Sequence, residues 1–464
     1  MIDESLLRRA HEHASRFLES LPERHVGARA TRDELLSALR VPLTARGEDP
    51  ASVLDAIAAQ GERGAIACAG PRYFGFVIGG SLPVALAADW LTSTWDQNPG
   101  IYATSPVVSV IEDIAREWLL ELFDLPRTSG LGFVTGCQMA NFTCLAAARH
   151  GVLRRVGWDV EADGLAGAPR VNVITSAESH ATIDVSLRYL GFGIRNLLRV
   201  ETDEQGRMRP DRLRRLLDNL TGPTIVCAQA GNVNTGAFDP LRPIIEVAHE
   251  HDAWVHVDGA FGLWARASRK LTHLADGIEL ADSWATDAHK WLNVPYDSGV
   301  AIVKHAEDHR ASMTTSAAYL VQTSGIERDS VDWVPEFSRR ARGITVYAAV
   351  RNLGTEGVAE LIERSCEQAR AMADLLRRDP RVQILNDVQL NQVLVRFGDD
   401  DELTRRVIAG VQEDGTCWLG GTTWHGLAAM RISFSSWATS DADVVRSGEA
   451  ILRVLAAVTS PAPA

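Results

Sequence analysis

Between about residue 70 and residue 305, short apolar runs alternate with longer amphipathic stretches. GFVTG is followed by QMANFTCLAAARHGVL, VNVIT by HATIDVSLRYL and TIVCAQA by LRPIIEVAHEH; WVHVD, SWATD and GVAIVKH complete the series. Runs this short and this apolar read as strands buried on both faces, and the stretches between them as helices. The alternation predicts an α/β fold, a mostly parallel sheet with helices on both faces. Ligands in such sheets bind beyond the carboxyl ends of the strands. The polar residues that follow these runs are therefore the ones to weigh for chemistry.

The flanks read differently. Residues 1–70 form a helical arm: LLRRAHEHASRFLESL, then TRDELLSAL with Thr31 at its N-cap, then DPASVLDAIAAQG. This arm has no strands of its own and must pack on something else. Residues 71–349 make the large domain. From 350 to 464 a long helix (TEGVAELIERSCEQARAMADLLRR) leads to VQILN, QVLVRF, a further helix, MRISFS and a closing helix, a smaller α/β domain. The net charge of −13 argues against a nucleic-acid surface built on phosphate attraction. The six cysteines include no C-x-x-C pair, which suits reduced thiols in a cytoplasmic protein. The opening MIDESLLRRAHEH is too polar for a secretory signal, and no run approaches the ~18 apolar residues of a membrane helix.

Of 47 lysines and arginines only three, Lys270, Lys290 and Lys304, are lysines. A lysine that persists against such a bias is a candidate for what arginine cannot do. Arginine stays protonated and forms no imine; a lysine amine does. Lys290 sits in TDAHKW, just beyond a strand, where partial withdrawal from water is expected to depress its pKa.

Three further features follow strand ends. Gly136–Cys137–Gln138 joins a strand to a helix, and N–H groups at a helix N-terminus suit a phosphate, although most such turns are only connections. His180 follows VNVITSAES, as a structural hydrogen-bonder or as a catalyst. Asp258 ends the buried-looking WVHVD, where a carboxylate is costly without a partner; a cap or a salt bridge is the plain alternative. No Walker A, G-x-S-x-G or H-E-x-x-H motif competes with these. Taken together, a phosphate cup, a ring-stacking histidine, a buried aspartate and an imine-forming lysine are what a pyridoxal 5'-phosphate site needs.

With those residues in hand, the chain resembles the group II pyridoxal-phosphate-dependent amino-acid decarboxylases, of the aspartate-aminotransferase-like fold type I. The resemblance rests on PRYFGF (71–76), Ser105–Pro106, TGCQMAN (135–141), ESH ending at His180, HVDGAFG (256–262), DAHKWLNVPYD (287–297), Tyr319–Leu320, SRRAR (338–342) and MRISF (430–434). It implies a seven-stranded-type sheet and a homodimer whose N-terminal arm wraps the partner subunit. It implies that Lys290 carries the cofactor as an imine, that Asp258 pairs with the pyridine nitrogen, and that His180 and Ala260 touch opposite ring faces. Cys137, Gln138 and His289 would contact the phosphate. Tyr319 would act in proton transfer, and Arg431 would lie near the substrate or form a structural salt bridge.

Three departures from the family pattern stand out. Gly231–Asn232–Val233 replaces the usual Gly-Thr-Thr, so that Asn232 or Asn234 would have to replace a lost hydroxyl. Asp287 stands where several relatives have Asn, beside the expected phosphate. Asp96–Gln97–Asn98–Pro99–Gly100 is polar and small where related aromatic decarboxylases are bulky, which makes Asn98 a candidate substrate contact. The expected reaction is decarboxylation of a small-molecule L-amino acid to its amine. The alternatives on this scaffold are decarboxylation-dependent oxidative deamination to an aldehyde, carbon–carbon cleavage, or a relative that has lost activity.

Overall fold

The computed structural model describes residues 4–314 and 327–460. They form two compact units: Gly79–Arg370 with Leu385–Val393, and Met1–Ile78 with Ala371–Ile384 and Leu394–Ala464.

The first of these is built on a seven-stranded sheet. Its strands are β1 (Gly130–Val134), β2 (Asn172–Ser176), β3 (Leu198–Val200), β4 (Thr224–Gln229), β5 (Trp254–Asp258), β6 (Ser283–Asp287) and β7 (Gly299–Val303). They lie in the order β1-β7-β6-β5-β4-β2-β3. All neighbours are parallel except β7, which runs antiparallel to both β1 and β6. Every residue of β1, β4, β5, β6 and β7 is buried, as the unbroken apolar runs demand. Two elements escape the sequence reading: β3 is only three residues long, and the antiparallel sense of β7 leaves no mark in its composition. The helix Cys137–Arg154 packs in the core of this unit with Ala146, Ala147 and Ala148 against the sheet residues Trp254 and Ala301.

The second unit carries the helices Glu4–Ser20, Arg32–Leu39 and Pro50–Gly64. Thr31 caps its helix through a reciprocal pair with Glu34, as expected. The sheet here has four strands: β8 (Val382–Ile384), β9 (Gln392–Phe397), β10 (Gly420–Trp424) and β11 (Leu427–Ser433), ordered β10-β11-β9-β8. Arg72 is buried in this unit, donating to the Thr416 carbonyl at 2.7 Å and pairing with Asp443 at 3.2 Å. The long helix begins earlier than its sequence suggests, at Gly343, and is interrupted at Gly354, where φ is 63°. No helix among the described residues is long and apolar enough to cross a membrane.

Candidate active site

Sheet register decides which residues meet. Val134 at the end of β1 and Asp287 at the end of β6 both pair with Gly299 at the start of β7. Asp258 at the end of β5 pairs with Gln229 on one side and Ala285 on the other. The chain therefore leaves β1, β5 and β6 along one edge. A Cβ at Gly299 would fall 2.5 Å from the backbone of Gly136, so only glycine lets the turn after β1 close against Asp287.

The helix Cys137–Arg154 starts in that turn. Its first N–H groups have no intrahelical acceptor and carry the positive end of the helix dipole. Cys137 N–H donates to Asp287 Oδ1 at 2.6 Å. Lys290 Nζ lies 3.0 Å from Asp287 Oδ2, and His289 Nε2 lies 3.5 Å from Oδ1. Asp287, 2% exposed, thus faces into the cluster of donors and does not turn away from it. The expected depression of the Lys290 pKa is reversed. Burial does push it down, but Asp287, aided by Asp258, raises it above the usual lysine value. Burial moves His289 the other way, below the usual histidine value, with Asp287 opposing. Ser298 N–H donates to His289 Nδ1 at 3.2 Å, which leaves the ring proton on Nε2, toward Asp287. Tyr296 stacks on the same ring at 4.2 Å.

Asp258 is 4% exposed, and no cation pairs with it among the described residues. Three donors replace one. Oδ1 accepts from the Cys137 thiol at 3.4 Å and from Ala260 N–H at 3.2 Å; Oδ2 accepts from Asn141 Nδ2 at 3.3 Å. Burial, reinforced by Asp258 and Asp287, holds the Cys137 thiol well above its ordinary pKa, so it is a proton donor here. The Ala260 carbonyl in turn accepts from Asp287 N–H at 2.9 Å, tying the two strand ends together.

The remaining expected residues fall as follows. His180 caps the helix Ala181–Tyr189: its Nδ1 accepts from Thr182 N–H at 3.3 Å and lies 2.7 Å from Thr182 Oγ1. Gln138 is exposed on the first turn of its helix, its carbonyl accepting from Ser186 Oγ. Asn232 is buried and engaged at both ends of its amide. Its oxygen accepts from the N–H groups of Asn234 and Thr235, and its nitrogen donates to the Glu178 carbonyl at 3.3 Å. It therefore anchors the segment leading to His180. The Asn98 side-chain oxygen accepts from Gly100 and Arg339 N–H groups, both at 3.3 Å. Arg431 belongs to the other unit, on β11; its Nε is buried without a hydrogen-bond partner among the described residues, and burial lowers its pKa. Tyr319 lies outside the described residues.

Two features were missed. A Cβ at Gly79 would fall 1.8 Å from the Lys290 carbonyl, so a glycine backbone braces the lysine from behind. Asn141 and His256 have no task assigned by the motifs TGCQMAN and HVDGAFG, yet they stand directly behind Asp258.

The donor set suits pyridoxal phosphate. Cys137 joins the pieces: its thiol touches Asp258, its N–H touches Asp287, and Asp287 touches Lys290. A primary amine, a buried carboxylate and a helix N-terminus thus share one strand edge. At Gly136 a Cβ would crowd His289 at 3.3 Å and Asp287 at 3.4 Å, so its absence keeps the cradle open.

Comparison with known proteins agrees. Residues 47–397 match the family described as "Pyridoxal-dependent decarboxylase conserved domain". Tryptophan decarboxylase 1 of Oryza sativa subsp. japonica is 28% identical over 402 residues, 79% of this chain and 77% of that protein. Acidic amino acid decarboxylase GADL1 of Bos taurus is 30% identical over 316 residues, 66% of this chain and 60% of that protein. Among solved structures, Oryza sativa TDC with PLP and tryptamine superposes with a TM-score of 0.92 at 25% identity, covering 98% of both chains.

Proposed function

Because the chain belongs to the pyridoxal-dependent decarboxylase family, we propose that it removes the carboxylate of an L-amino acid as carbon dioxide and leaves the amine. The observation that carries this reading is the continuous contact from Asp258 through Cys137 and Asp287 to Lys290. When bound, pyridoxal phosphate supplies an electron sink for the pair left behind when the Cα–carboxylate bond breaks.

Lys290 is the attachment point, because its primary amine lies against the donor cluster on the strand edge. Asp258 holds a proton on the ring nitrogen; the donors around it leave it an acceptor. Cys137 N–H, the first turn at Gln138 and His289 Nε2 form the phosphate seat. On the family resemblance His180 and Ala260 would border the ring, and Asn232 positions the His180 segment through the Glu178 carbonyl. Asn98 and Arg431 are assigned to the substrate from the family resemblance. Tyr319, on the same resemblance, delivers the proton that replaces the carboxylate at Cα; a phenol with a reference pKa near ~10 is a usable donor once water is excluded.

The working form is a homodimer. The first three helices bury no residue, while Leu7, Leu18, Leu39, Val53 and Ile57 remain exposed on or beside them. Apolar side chains so arranged suit a partner surface, here the dimerisation arm of residues 1–70. A cytoplasmic setting agrees with six free cysteines.

The relatives named above act on aromatic and on acidic amino acids, so the test is a panel spanning both classes. Carbon dioxide, amine, aldehyde and peroxide are measured on each. Stoichiometric carbon dioxide and amine is the expected result. Aldehyde with peroxide, or no turnover on any member, would overturn it.

A further inference from the structure

Behind Asp258 runs a row of fully buried polar side chains that the reaction itself does not use. Trp254 Nε1 lies 3.0 Å from Ser283 Oγ, and Ser283 Oγ lies 2.9 Å from His256 Nδ1. His256 Nε2 lies 2.9 Å from Asn141 Oδ1, and Asn141 Nδ2 lies 3.3 Å from Asp258 Oδ2. Trp254, Ser283, His256 and Asn141 are each 0% exposed. They come from β5 and β6, which end at the active edge, and from the helix Cys137–Arg154, which begins there.

The carboxylate at the far end fixes the direction of the row: Asp258 accepts, so Asn141 turns its NH2 toward it and its oxygen toward His256 Nε2, which must donate. Turned over, Asn141 would set an oxygen against a carboxylate oxygen and an N–H against an N–H. Burial pushes His256 down to about 4, so the ring is neutral near pH ~7. A neutral His256 that donates at Nε2 has a lone pair at Nδ1, so the serine hydroxyl gives its own proton there. An indole N–H can only donate, so Ser283 Oγ is its acceptor.

Asp258 Oδ1 already receives two donors and Oδ2 receives one, so one acceptor direction is left, on Oδ2. Asn141 holds the oxygen on which that direction lies. We propose that Trp254, Ser283, His256 and Asn141 form a directional positioning relay that locks the Asp258 carboxylate with one lone pair of Oδ2 free for the cofactor's ring nitrogen. His256 and Asn141 are positioning residues; neither touches the cofactor. The proposal rests on the assignment of Asp258 to the ring nitrogen.

The test uses holoenzyme loaded with cofactor carrying 15N in its ring. The 15N chemical shift reports directly whether the ring nitrogen is protonated, and the cofactor dissociation constant is measured alongside. The unaltered protein should show a protonated ring nitrogen; an unprotonated signal there would overturn the Asp258 assignment itself. His256→Leu removes both acceptor and donor and should move the shift toward the unprotonated value, with cofactor affinity reduced about tenfold, the scale of one hydrogen bond to a charged group. His256→Gln offers a carbonyl and an NH2 in the same order and should restore both readouts. Ser283→Ala, a small change tolerated where His256→Leu is not, should shift the signal in the same direction by less. If His256→Leu and Ser283→Ala lower thermal stability yet leave the 15N shift protonated, the row is only core packing and the relay is wrong. If Gln fails to restore what Leu removes in folded protein, the directional argument is wrong.

Discussion

Asp287→Asn isolates the carboxylate that departs from the family pattern. The side chain keeps its shape, so an amide oxygen still accepts from Cys137 N–H, but the charge facing Lys290 is gone. At 3.0 Å and an effective dielectric of about 20 the pair attracts with about 5 kcal/mol before desolvation is counted. Burial works against both charges, and the raised Lys290 pKa shows that attraction outweighs it. Without Asp287 burial is the largest influence left, and the lysine falls. Each tenfold gain in free amine needs only about 1.4 kcal/mol, well inside that attraction. The variant should therefore bind pyridoxal phosphate covalently at least about tenfold faster near pH ~8, with the pH midpoint of attachment moved down. Removing a negative charge beside the phosphate seat should tighten cofactor binding as well. The assay is stopped-flow absorbance of cofactor mixed with cofactor-free protein across a pH series. Slower attachment with an unchanged pH midpoint would show that Asp287 does not govern the state of Lys290.

Lys290→Arg keeps the charge and removes the imine chemistry, so turnover should vanish; borohydride reduction and peptide mapping of the unaltered protein should find the cofactor on Lys290, and label on Lys270 or Lys304 would exclude it. Glu112 and Arg339, whose side chains are each 1% exposed, form a bidentate pair at 2.7 and 2.9 Å. Glu112→Ala strands the guanidinium and should cost about 3–5 kcal/mol in a denaturant titration; a loss under about 1 kcal/mol would show that the site relaxes. Acid should destabilise early. His256 and His309 have pKa values lowered by burial to about 4 and about 3. Below the unfolded value near ~6.5 the unfolded chain takes up protons that the folded chain refuses, so stability is full above ~6.5 and declines as pH falls toward those values, by up to about 2.7 kcal/mol per pH unit for the two together. Equal melting temperatures at about pH 7 and about pH 5 would contradict this.

What the sequence revealed and what it hid divide along a physical line. Strands buried on both faces announce themselves as unbroken apolar runs, so β1, β2, β4, β5, β6 and β7 were legible, as was the Thr31 cap. Strand direction is not a property of composition: GVAIV serves equally well parallel or antiparallel, and only the chain path decides. Lys290 and Asp258 stood out because a primary amine and a carboxylate at strand ends are costly unless used. Asp287 was noticed as a departure, but its orientation depends on the β6–β7–β1 register and on Gly299 letting Gly136 approach, which no local pattern encodes. His256 was hidden for a related reason. Residues two apart on a strand share a face, and His256 stands two before Asp258 on β5. HVD therefore already placed the imidazole beneath the carboxylate. The partner that makes this placement meaningful, Asn141, sits on a helix 115 residues earlier. A lone histidine in a strand is ordinary core; it becomes a directional element only when a donor-only indole fixes one end of the row and a carboxylate fixes the other.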